Sequence, residues 1–120
     1  MRPDITLGAV SNIFSRMMHF RKAGDIELGH KHHFAHLTLL ASGSLKVIVE
    51  GEETIFKAPH MIYIHADKKH QLVAVEDDTV AYCIHAIRDA NTGDILDPSM
   101  IPNGIPDGNE LDIMSFVKLE

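Results

Sequence analysis

The sequence predicts an all-β domain, a sandwich or a barrel, and two observations carry that prediction. About seven short runs alternate apolar and polar residues with the period of two that a half-buried strand requires. Between them fall Gly, Asp, Asn and Pro at the spacing of short strand connections, and eight Gly and five Pro supply those turns. A chain of 120 residues with 45% hydrophobic content suits one domain around one core.

Residues 1–20 open with M-R-P-D and run to S-R-M-M-H-F. Met17 and His19 share one parity and Met18 and Phe20 the other, which fits a strand or a short helix. The β units around it favour an edge strand, with His19 on a face away from the other histidines. Gly24-Asp25 marks a turn. Residues 26–41 form the next strand, ending in Leu37-Thr38-Leu39-Leu40 before the turn Ser42-Gly43-Ser44.

Leu45 to Glu50 reads as a strand with Leu45, Val47 and Val49 on one face. Gly51-Glu52 closes a hairpin, and Thr54-Ile55-Phe56 returns. Pro59 interrupts, and Met61 to Ile64 is a short strand. The polar run Ala66-Asp67-Lys68-Lys69 leads to a strand from His70 to Val75, in which His70, Leu72 and Ala74 share a face. After the turn at Asp77-Asp78, Thr79 to Ile87 is the last long strand. Pro98, Pro102, Pro106, Asn103-Gly104 and Asp107-Gly108 make 97–109 irregular. Leu111 to Leu119 then docks on the sheet or on a partner as a strand or short helix.

The net charge of −6 argues against nucleic acid or an anionic membrane as partner. A bound divalent cation would still create a local positive site. Cys83 is the sole cysteine, so no internal disulfide can form. There is no signal-length apolar run at the N-terminus and no apolar span of about 18 residues, so the expectation is a soluble cytoplasmic protein.

Residues 29–36 read G-H-K-H-H-F-A-H and hold four of the nine histidines. In an extended strand His30, His32, Phe34 and His36 share a face, and His33 points the other way. A bulge at Lys31 would exchange His33 with His32. Several imidazoles on one face suit Zn, Fe, Ni or Cu, with His70 arriving from a second strand. The alternative is a histidine-rich surface strand. Phe34 is then an apolar wall beside the ion or plain core filling.

Lesser candidates are Tyr63 and Tyr82 as hydrogen-bond donors or packing residues, and His65 as a base at the pocket mouth. Cys83 and His85 share a face opposite to Tyr82; burial in the sheet core is the first reading of Cys83 and a thiolate ligand the second. His60 follows Pro59 and faces solvent. Glu50, Glu52, Glu53, Glu76, Asp77 and Asp78 fall near turns and serve solubility.

With these residues in view, the chain resembles a small single-domain cupin. That family's first motif is G-x5-H-x-H-x3-4-E-x6-G. Gly24, five residues, His30-Lys31-His32, three residues, His36, six residues and Gly43 match its spacing, with His36 in place of Glu. Of the second motif, G-x5-P-x-G-x2-H-x3-N, only the histidine is kept, as His70; Pro59, His65, Asp67 and Ala74 stand at its other fixed positions. The resemblance covers residues 24 to about 87. The chain is also similar to uncharacterised cupin-like proteins encoded by bacterial viruses, a likeness that carries no activity.

The resemblance implies a β-barrel of jelly-roll (double-stranded β-helix) form over residues 24–90; an N-terminal strand region over 1–23 precedes it, and an irregular C-terminal segment over 91–120 docks on the barrel or on a partner. It implies that His30, His32, His36 and His70 hold one divalent transition metal ion: Fe, Mn, Ni, Zn or Cu. It assigns no catalytic residue and no organic cofactor.

Three functions are then open. One is a metal-dependent enzyme, an oxygenase, isomerase or relative, acting on a small oxygenated molecule such as a sugar derivative or a keto or hydroxy acid. The second is a non-catalytic cupin that binds a small ligand or uses the ion to hold the fold. The third is a structural or assembly protein, with a phage accessory protein among its forms. A homodimer is compatible with all three.

Overall fold

A computed structural model describes residues 1–28 and 35–96 and the backbone of 117–119. Its strands are Asp4–Val10 (β1), Ile13–Phe20 (β2), Ile26–Glu27 (β3), His36–Ser42 (β4), Ser44–Val49 (β5), Glu52–Lys57 (β6), His60–Ile64 (β7), His70–Ala74 (β8), Thr79–Ala86 (β9) and Val117–Leu119 (β10). They form two antiparallel sheets, one of six strands in the order β10-β1-β2-β9-β4-β7 and one of four in the order β3-β8-β5-β6. The expected all-β jelly roll is therefore the fold. No helix among the described residues is long and apolar enough to cross a membrane.

The alternation read from sequence sets which side chains face inward. Leu45 and Val47 on β5, Leu72 and Ala74 on β8, and Met18 and Phe20 on β2 are all buried. Their neighbours Lys46, Gln71 and Met17 lie at intermediate exposure on the opposite face. The core is the layer between the sheets, where Phe14, Leu40, Ile62, Ile64 and Ala81 meet these residues. Burial of this apolar surface, at roughly 25 cal/mol per Å², is the main force holding one sheet to the other.

Three features differ from the sequence reading. The single strand expected over 26–41 is two, β3 in the four-stranded sheet and β4 in the six-stranded one. The N-terminal stretch is a hairpin, and β2 is not an edge: it lies between β1 and β9. Local pattern cannot reveal this, because the neighbour of β2 comes from more than sixty residues later, as in Met18↔Ala81. The C-terminal strand, expected on the sheet or on a partner, docks on β1, with Ile5 opposite Leu119. The remainder of 97–116, including the proline-rich stretch expected to be irregular, lies outside the described residues.

Gly43 joins β4 to β5, and with them the two sheets, at φ +79°. A Cβ there would stand 2.2 Å from Thr79 Oγ1 and 2.8 Å from the Thr79 Cα. Thr79 is fully buried; its hydroxyl accepts from the Ser44 N–H at 3.3 Å and donates to the Glu76 carbonyl at 2.9 Å. The acidic turn before β9 is also built in: Asp77 accepts from the Ala23 N–H at 2.8 Å and Asp78 pairs with His19 at 3.1 Å.

Candidate functional site

The inward face of the six-stranded sheet is laid out in rows. Met18, Ala81 and Leu40 form an apolar row across β2, β9 and β4. The next row is Arg16, Cys83 and Thr38. The row beyond pairs Phe14 with His85, their ring centroids 4.8 Å apart. His36 begins β4, one step past the Leu37↔Ile84 pair, so the ladder sets it on this same outer row. The facing sheet supplies His70, opposite Val49, and Glu27, opposite Leu72. Apolar rows thus give way to polar ones toward one end of the barrel.

Among these residues Phe14, Arg16, Glu27, His36, His70 and Cys83 line a cavity of about 40 Å³, with Leu28 at its side. That is room for an ion and one or two small ligands, since a water needs about 10–15 Å³ of such space. His36 and His70 are both buried, at 5% and 6% exposure, and their ring centroids lie 5.1 Å apart with the planes at 52°. The spacing suits a shared ion. With a metal–nitrogen distance of about 2.1 Å and about 1.1 Å from nitrogen to ring centre, two imidazoles at a tetrahedral angle would have centroids about 5.2 Å apart. His70 Nδ1 lies 3.3 Å from the Lys68 carbonyl. A proton donated there leaves the lone pair on Nε2, the arrangement that orients a ligating histidine.

Across the same cavity runs an ion pair. Arg16 Nη2 donates to both carboxylate oxygens of Glu27, at 3.0 and 3.1 Å. Arg16 belongs to one sheet and Glu27 to the other, so the pair ties the layers together beside the histidines. The Glu27 side chain is 8% exposed and that of Arg16 25%. A charge pair this buried offsets a large desolvation cost and adds little net stability. Cys83 lies in the same row, its sulfur 3.5 Å from Thr38 Oγ1. Burial pushes the thiol up to about 11; the Thr38 hydrogen bond and the Arg16 charge oppose this, and Glu27 adds to it.

Of the four residues expected to hold metal, His36 and His70 meet at this cavity. His30 and His32 lie outside the described residues, as do His33 and Phe34. Among the described residues alone no group of three or more His, Cys, Asp or Glu side chains could hold an ion. Cys83 and His85 share the inward face, as their parity requires.

The lesser acid–base candidates fall elsewhere. Tyr63 is 56% exposed and packs edge-on against His65, itself exposed, at 4.7 Å on the outer face. Tyr82 has outward parity, between Met17 and Leu39. His60 is exposed and lies on the Phe56 ring at 4.8 Å. Sequence reasoning missed Arg16 and Glu27. The available signal was a charged residue with the parity of Phe14 and Met18 in the N-terminal strand.

The architecture and the polar end of its barrel define a cupin fold, the double-stranded β-helix. Solved structures agree. KdgF from a Halomonas species superposes with a TM-score of 0.59 at 18% identity, covering 69% of this chain and 76% of that one. An RmlC-like cupin from Methanocaldococcus jannaschii gives 0.58 at 11% identity over 65% and 72%. The cupin domain of Cnp3 from Schizosaccharomyces pombe gives 0.56 at 13% over 62% and 56%. No protein-family model matches the chain, and no curated protein sequence matches it. At these identities the likeness is one of fold.

Proposed function

We propose that this domain binds one divalent transition metal ion (Fe, Mn, Ni, Zn or Cu) through His30, His32, His36 and His70, and that it is a metal-dependent enzyme acting on a small oxygenated molecule. The observation that carries the reading is the convergence of His36 and His70 from opposite sheets, at 5.1 Å, in one cavity. Four neutral imidazoles leave a bound ion its full charge, and such an ion polarises an oxygen ligand as a Lewis acid. The chain's own residues would do the rest. Phe14, Leu28 and Leu72 keep the cavity apolar on its flanks. Arg16, held by Glu27, supplies the cationic donor. A keto or hydroxy acid fits these features better than a neutral sugar.

The test is metal content after equilibrium dialysis against each ion. One equivalent is expected for the native chain and under about 0.1 for His70→Ala and His36→Ala, since each removes a ligand. Equal loading of all three proteins would overturn the site.

A second reading is a non-catalytic cupin that binds a ligand or uses the ion to hold the fold, an accessory protein of a bacterial virus included. Its support is the acid–base inventory: Glu27 is engaged by Arg16, and neither tyrosine lines the cavity. A screen of keto and hydroxy acids with metal-loaded protein separates the two, turnover favouring the enzyme. The homodimer belongs to both readings. Strand β7 ends its sheet and exposes Met61 and Tyr63, at 73% and 56%, as a surface for pairing.

A further inference from the structure

Arg16 occupies an expensive position. On β2 it has the parity of Phe14 and Met18, both buried in the core at 2% and 1% exposure. A guanidinium there must be desolvated, and it carries five N–H donors in a planar fork. Only Nη2 is used by Glu27, which takes both of its bonds. The Nε–H is buried and meets no hydrogen-bond acceptor among the described residues. A buried donor on a charged group that lacks its acceptor is costly, and a fold gains nothing by placing one there. The group lines the same cavity as His36 and His70.

Charge bookkeeping gives the missing acceptor its sign. Arg16 and Glu27 cancel, so with neutral histidines a divalent ion would leave the cavity at about +2. An anion is favoured there over a neutral ligand. The space, about 40 Å³, limits the group to a small one. We infer that Arg16 is a specificity-determining residue that receives one oxygen of a substrate carboxylate on its Nε–H, and that Glu27 positions the guanidinium by holding Nη2. The ligand class is a short carboxylic acid bearing a second oxygen, such as a 2-hydroxy or 2-keto acid. This rests on the proposed metal site for the second oxygen and for the net positive charge, and on the Arg16 Nε–H for the contact to the carboxylate.

The experiment is calorimetric titration of native protein with glycolate and pyruvate, and with glycolamide and pyruvamide as neutral counterparts, metal content being measured on every sample. Native protein is expected to bind the acids and not the amides. R16Q is expected to bind the acids about 10- to 100-fold more weakly at unchanged metal content, the worth of a hydrogen bond to a charged group. R16K, which keeps the charge and lacks the planar fork, should recover only part of that loss. R16Q leaves Glu27 buried without its partner, so R16Q/E27Q is the variant to use if R16Q does not fold.

Equal affinity for acid and amide, no binding of either acid, or undiminished binding by the Arg16 variants would overturn the inference. A failure of the metal reading appears separately, as native protein without metal. In that event Arg16-dependent binding of the acids to the same protein still supports the carboxylate role, and its absence overturns it.

Discussion

Replacing Gly43 by alanine should cost far more than the same change at Gly51, although both glycines have positive φ, +79° and +85°. At Gly51 an added Cβ meets nothing within 4 Å. The cost there is the left-handed conformation, roughly 1–2 kcal/mol for a residue with a Cβ. The smaller entropy of the unfolded alanine chain returns about 0.4–1 kcal/mol, leaving a net loss of about 1 kcal/mol. At Gly43 the new atom would lie 2.8 Å from the Thr79 Cα, which is backbone and cannot turn aside. Thr79 is itself locked by hydrogen bonds to Ser44 and Glu76. Overpacking of this kind costs about 1–3 kcal/mol more, so Gly43→Ala should lose about 2–4 kcal/mol. Urea unfolding of both variants with a shared m-value measures the difference directly. If the two losses agree within about 0.5 kcal/mol, the Gly43–Thr79 contact does not constrain the turn between the sheets.

Three further outcomes follow from the cavity. Arg16→Met alone should lose about 3 kcal/mol or more, because it strands the Glu27 carboxylate, while Arg16→Met with Glu27→Gln should lose much less than the two single changes added; a double-mutant cycle in urea reads the coupling. Metal chelation should lower the melting temperature of native protein by the linkage of binding to folding, about 2.7 kcal/mol when free metal is 100 times its Kd, and should leave His70→Ala unmoved.

The Cys83 thiol, raised to about 11 by burial, should stay protonated in the folded metal-free protein at pH 8 and react with iodoacetamide far more slowly than an ordinary cysteine. Its folded value lies above the unfolded one. The stabilisation is therefore complete below about pH 9 and is lost as the pH rises toward 11, by about 2–3 kcal/mol. Cys83→Ala should lack that part of the alkaline loss, and an identical pH profile for both proteins would contradict the assignment.

Much of the fold was legible because the strands are local patterns. The run L-K-V-I-V-E declares its inward face, and Leu45 and Val47 are buried as its parity requires. Glycines mark where β4 and β5 stop, and Gly43 shows why one of them admits no side chain. The inward placement of His36, His70 and Cys83 was also a matter of parity. What local pattern could not carry was adjacency. Nothing near residue 16 announces that β9 lies beside it, or that a two-residue strand at Ile26–Glu27 faces it across the barrel. The Arg16–Glu27 pair is a product of sheet order, so it became visible only when both sheets were in place.

The most direct measurement is anomalous diffraction from crystals of protein never exposed to chelator, recorded on both sides of the Mn, Fe, Ni, Cu and Zn edges. One peak is expected between the His36 and His70 rings, about 2.0–2.3 Å from a nitrogen of each and of His30 and His32. Density for both rings with no anomalous peak between them after metal soaking, or His30 and His32 turned away from that point, would contradict the metal centre.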